Sequence, residues 1–124
     1  MKKLTAEWME KAEEDYLAAS HLANAPGMTT CNVICFHCQQ ASEKWLKSRL
    51  CEDDISFPKT HDLSALLQLL LRFRPDWICI QRAAENLTNF ASNTRYPGDS
   101  ASLEDMTQAL ADMGSIRDLV RASF

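Results

Sequence analysis

All four prolines of this chain, Pro26, Pro58, Pro75 and Pro97, lie between stretches of helical periodicity and never within one. Proline lacks a backbone donor and clashes with the preceding turn, so each marks a place where a helix cannot continue. Pro26-Gly27 and Pro97-Gly98 are strong turn pairs as well. The prolines thus cut the 124 residues into five segments. Strand alternation occurs in none of them, and no repeat or low-complexity linker calls for a second domain. The expectation is one all-α domain over residues 1–124, large enough to bury a core without staples. With short connections an up-and-down bundle is the economical architecture.

The stretch Cys31 to Cys51 organises the rest. Cys31, Ile34, Cys35, Cys38, Ala41, Ser42, Trp45 and Leu46 fall on one side of a helix about six turns long at ~3.6 residues per turn. Gln39, Gln40, Glu43, Lys44 and Lys47 fall on the other, with Glu43 and Lys47 spaced as a surface ion pair. His37 sits at the edge of the stripe and Phe36 projects from the polar side. Before this stretch, Thr5 to Ala25 reads as a helix capped by Thr5, with Trp8, Ala12, Asp15, Ala19 and Leu22 on one face. Asp15 is an acid inside an apolar stripe, and such a carboxylate needs a cation or several donors. A structural ion pair is the plainer reading, a functional acid the sharper one.

After the central stretch, Thr60 or Asp62 can cap a short helix running from Leu63 to Phe73. Pro75-Asp76 restarts the chain for a helix with Ile80, Ala83, Ala84, Leu87, Phe90 and Ala91 inward, reaching Thr94 and Arg95. The last helix begins at Ser102, whose Ser-x-x-Asp spacing to Asp105 forms a capping box. Alternating helix directions would then bring Lys44, Lys47, His61, Arg95 and Tyr96 to one end of the bundle. A phosphate-sized anion could be held there. The plainer reading makes the lysines a solvated face, His61 a turn residue and Arg95 a helix-end cation.

Charge and composition narrow the class. A net charge of −4 argues against an all-over cationic duplex-binding surface. After Met1-Lys2-Lys3 charge returns by Glu7, unlike a signal peptide, and no apolar run suits a membrane span. Five cysteines suit a reducing compartment, so the cytoplasm is expected. Cys35 and Cys38 stand at Cys-x-x-Cys spacing, but no second cluster completes a zinc site, so with Cys31 they read as small core residues and neither metal nor cofactor is expected.

Residues 35 to 47, Cys-Phe-His-Cys-Gln-Gln-Ala-Ser-Glu-Lys-Trp-Leu-Lys, resemble the signature helix of HEPN-domain proteins. Trp8 through Ala12, Asp15 and Ala19, then Thr60-His61-Asp62-Leu63, then Arg95-Tyr96-Pro97 match in the same order. The resemblance implies a four-helix up-and-down bundle with an additional short helix, commonly a homodimer. It also implies a role with nucleotides or RNA, often beside a minimal nucleotidyltransferase partner in toxin–antitoxin or defence-type systems. Many members are ribonucleases whose arginine is followed four to six residues later by histidine. Here Arg95 is followed by Tyr-Pro-Gly-Asp-Ser-Ala-Ser, and no histidine occurs beyond His61. The general acid/base of that motif has no occupant.

Three functions remain open on the sequence. One is a non-catalytic module binding nucleotide or RNA through Lys44, Lys47, His61, Arg95 and Tyr96, with a nucleotidyltransferase partner. Another is a metal-independent ribonuclease using Arg95 with His61 or His37. The last is a structural dimerising protein whose interface is marked by an exposed Phe36 with Gln40.

Overall fold

Lys2 begins the fold by tying itself to the far end of the central helix. Its backbone N–H donates to Glu52 Oε1 at 2.9 Å and holds that carboxyl below its ordinary range, while its ammonium reaches Asp54 and the Cys51 carbonyl. In the computed structural model, which describes residues 1–25, 30–91, 97–98 and 100–124, this anchor lets the first helix start early. Helix α1 spans Lys3–Ala23, so Thr5 is buried in its first turn and is not its cap. Then come α2 (Cys31–Glu52), α3 (Leu63–Leu71), a 3-10 turn (Pro75–Ile80), α4 (Gln81–Thr88) and α5 (Leu103–Ala122). Among the described residues there is no strand, as the sequence predicts.

Cross-links fix the helix directions. Met9 meets Ser48 and Asp15 meets Lys44, so α1 and α2 are antiparallel. Asn32 Oδ1 accepts the Ala101 N–H at 2.6 Å at one end of α2, and Arg49 reaches the Ser123 carbonyl at 2.9 Å at the other. Helix α5 therefore runs parallel to α2. Helix α4 runs antiparallel to α3, because the Leu63 N–H donates to Thr88 Oγ1 and Gln68 meets Gln81. Helices α1, α2, α4 with its 3-10 lead-in, and α5 thus alternate in direction as an up-and-down four-helix bundle, and α3 is the additional short helix.

The entry into α3 departs from expectation. After α2 the chain turns at Asp54, a non-glycine in the left-handed region (φ 57°), and the Ile55 N–H returns to the Leu50 carbonyl at 2.9 Å. Residues 55–62 climb back along α2 to the level of Glu43, where α3 begins. Helix α3 then descends toward Asp53, which Arg74 meets at 3.3 Å. Its start lies beside the middle of α2, whereas simple alternation of directions would have placed it at the end.

Capping follows side-chain chemistry where a side chain can reach. Asp62 rather than Thr60 caps α3 by accepting the Ala65 N–H, and Ser102 with Asp105 completes the capping box of α5. Thr30 precedes α2 without a side-chain capping bond, and Thr29 lies outside the described residues. Helix α3 stops at Leu71, leaving Phe73 exposed, and α4 stops at Thr88 with residues 89–91 in a turn.

The core joins Ile34, Cys35, Cys38, Ala41, Trp45, Leu46 and Leu50 of α2 to every other helix. Ala12 and Ala19 come from α1, Leu63, Leu66, Leu67 and Leu70 from α3, Ala84 and Leu87 from α4, and Met113, Ile116 and Val120 from α5. Because α1, α5 and the α3 side surround α2, its polar line is covered too: Gln39, Glu43, Lys47 and Arg49 are all buried. The two-faced pattern therefore does not separate core from solvent on this helix. Leu46 is fully buried at its centre, and Leu46→Ala is expected to cost about 2–5 kcal/mol of unfolding free energy in urea or guanidinium titration.

Candidate functional site

Glu43 is the centre of the polar network on α2. It is 3% exposed, a depth at which a carboxylate must be paired and hydrogen-bonded. Its Oε2 takes the Lys47 ammonium at 3.0 Å, one turn along the helix. Its Oε1 accepts from His61 Nδ1 at 2.8 Å and from Gln39 Nε2 at 3.2 Å. Gln39 also donates to the His61 carbonyl at 3.0 Å and accepts from Gln40 Nε2 at 2.7 Å. The chain Gln40–Gln39–Glu43 thus fixes both the backbone and the ring of His61.

The imidazole is held at one nitrogen and presented at the other. A carboxylate only accepts, so the Nδ1 facing Glu43 carries the proton and Nε2 is left outward. The His61 side chain is 70% exposed while Glu43 beneath it is 5% exposed. An exposed imidazole whose tautomer is fixed by a buried carboxylate can accept a proton at Nε2 from a bound group or return one to it.

The lysines are placed differently from expectation. Lys47 is buried: its ammonium lies 5.4 Å from the Trp8 ring centroid and 5.9 Å from that of Phe57, besides its bond to Glu43. The two rings meet edge to face at 6.4 Å, so Phe57 covers Trp8 and Lys47. Lys44 belongs to a separate cluster, in which Asp15 accepts from Lys44 Nζ at 2.5 Å and from His37 Nδ1 at 2.8 Å. Asp15 therefore takes the ion-pair reading, with Lys44 and His37 as its partners.

The structure brings Lys47 and His61 together on Glu43, with Lys44 on the neighbouring flank of α2. Both ammonium charges are matched by carboxylates, which leaves His61 as the accessible member of the three. Arg95 and Tyr96 lie outside the described residues. Phe36, expected to be exposed, is half-buried with its ring 5.7 Å from that of His37, and Gln40 spends its amide on Gln39. Glu43 is paired with Lys47 by spacing alone, and Gln39 is the member that residue types did not assign. Its signal was the i, i+4, i+8 line Gln39–Glu43–Lys47, which looks the same whether solvated or covered.

Among the described residues no group of three His, Cys, Asp or Glu side chains could hold a metal ion. Cys35 and Cys38 are fully buried, and burial pushes both thiols up from 9.0 to about 12. No helix among the described residues is long and apolar enough to cross a membrane. A family model described as the HEPN domain matches residues 5–123, nearly the whole chain. No protein of curated function and no solved structure matches.

Two outcomes follow from the burial. Glu43→Ala strands Lys47 and is expected to cost about 3–5 kcal/mol, whereas His61→Ala removes an exposed partner and should cost less than about 1 kcal/mol. Chemical denaturation of the two variants reads the difference. In the native protein the exposed Cys79 should react first with a thiol reagent, and Cys35 and Cys38 only on unfolding. Below about pH 9 these two thiols are protonated in both states, and stability falls as pH climbs from there toward about 12, because they ionise in the unfolded chain before they do in the core.

Proposed function

The chain belongs to the HEPN domain family, a nucleotide- and RNA-related group, and from that premise we propose a non-catalytic module that binds nucleotide or RNA. It works as a cytoplasmic homodimer with a nucleotidyltransferase partner in a toxin–antitoxin or defence-type system. The observation that carries the binding half is His61, an exposed imidazole fixed by a buried carboxylate, which as the doubly protonated imidazolium donates to a phosphate through Nε2. Arg95 and Tyr96 are proposed as further ligand contacts, and Lys44 and Lys47 as charges that hold the acids beneath the site. The absence of a histidine after Arg95 at the family spacing supports the non-catalytic reading. Five free cysteines are in keeping with a reducing compartment.

A ribonuclease is the second reading, and the same Glu43–His61 pair favours it, since a carboxylate-oriented imidazole is a competent general acid or base. Labelled single-stranded RNA separates the two. Cleavage abolished by His61→Ala and by Arg95→Ala makes the chain an enzyme; intact RNA leaves it a binder.

Calorimetric titration with ATP, GTP and short single-stranded RNA tests the binding reading. Binding at millimolar concentration or tighter is expected, with His61→Ala weakening it by about tenfold, the worth of one charge-assisted hydrogen bond. No binding of any of these would end the nucleotide reading and leave only the protein-partner one.

A further inference from the structure

A polar cleft of about 250 Å³ lies between α4 and α5, lined by none of the residues that hold His61. Asn86, Asn89 and Phe90 line it from α4 and the following turn, and Asp105, Gln108 and Asp112 line it from α5. Asp112 is 7% exposed. Its Oδ2 accepts from Asn86 Nδ2 at 3.2 Å and its Oδ1 from Gln108 Nε2 at 2.9 Å. Among the described residues no cation pairs with it. This carboxylate is buried slightly more than Asp15 and less than Glu43, yet held by two neutral amides where those two acids each hold a lysine.

The hydrogen-bond directions decide what the cleft offers. Because Asp112 can only accept, both amides must turn their NH2 groups toward it and their carbonyl oxygens away. A carboxylate has about four lone-pair positions, so Asp112 keeps acceptor capacity beyond these two bonds. Asp105, at the exposed rim, has one oxygen engaged with the Ser102 N–H in the capping box. The cleft is therefore rich in acceptors, with the half-buried Phe90 ring beside them.

Such a lining selects a ligand edge made of adjacent donors, and an aromatic beside it suits a flat ring. Guanine presents that edge: N1–H next to the N2 amino group meets a carboxylate through two parallel hydrogen bonds. Adenine and cytosine place an acceptor nitrogen next to their amino group, and uracil flanks its N–H with two carbonyls. Each of these would set an acceptor against an acceptor. We propose that the α4–α5 cleft is a guanine pocket, in which Asp112 accepts from N1–H and N2 and Phe90 stacks on the base. The proposal rests on the nucleotide reading above and sharpens it by naming the base, through residues separate from His61.

Titrating the protein with guanosine, adenosine, cytidine and uridine tests this, followed by calorimetry and by the side-chain amide resonances of Asn86 and Gln108. Guanosine is expected to bind about tenfold or more tightly than the others and to shift both amide resonances. Asp112→Asn should abolish the preference, and Phe90→Leu should weaken guanosine. Should Asp112→Asn fail to fold, the resonances of the unaltered protein decide the matter alone. Equal affinity for the four nucleosides, or amide resonances unmoved at saturating guanosine, overturns the pocket while ATP and RNA binding at His61 can still stand. Guanosine binding with that preference, unaffected by His61→Ala in a protein that binds no ATP or RNA, would keep the pocket and remove the His61 site.

Discussion

The buried carboxylate of Glu43 sets the geometry on which the rest of the bundle depends. It sits where α2 would otherwise present a polar face, and it is stabilised only because three donors from two segments converge on it. Burial of a charge this deep costs several kcal/mol unless the partners are fixed. Lys47, His61 and Gln39 fix it, and in return the connector after α2 must climb to Glu43 before α3 can begin. The starting height of α3, the covering of Lys47 by Trp8 and Phe57, and the outward pose of His61 all follow from that one requirement.

Much of the fold is legible in the sequence because local rules govern it. Proline positions separate the helices, Ser102 with Asp105 announces a helix start, and Asp15 inside an apolar stripe announces an ion pair. What escaped is what depends on the neighbours. Gln39, Glu43 and Lys47 have the same spacing on a solvated helix as on a covered one, so periodicity alone reads them as surface. The start of α1 moved because Lys2 bonds to Glu52, fifty residues away in sequence. The path of the connector was hidden because its length permits either a tight reversal or a climb, and only the pairing of His61 with Glu43 chooses.

The charges also explain how a chain of net charge −4 can place cations around a site without repulsion. Asp15 and Glu43 each hold one lysine and one histidine, on separate flanks of α2. Both lysines are structural counter-ions first. That moves the chemical interest from the lysines, which look like anion binders in a sequence, to the imidazole that remains accessible. Asp112 makes the contrast plain, since its burial is supported by neutral amides.

The parallel pairing of α2 and α5 is fastened at both of its ends, by Asn32 with Ala101 and by Arg49 with Ser123. Arg49 is gripped further by Asp53 at 2.6 Å and lies 4.1 Å from the centroid of the Phe124 ring. Two fasteners so far apart act on the helix pair as a bolt at each end acts on a shaft. Sliding α5 along α2 by one turn, about 5.4 Å, would break both at once and leave the buried guanidinium without its Ser123 acceptors. Axial slippage between these helices is thereby opposed, so Asp112 on α5 keeps its height relative to Glu43 on α2.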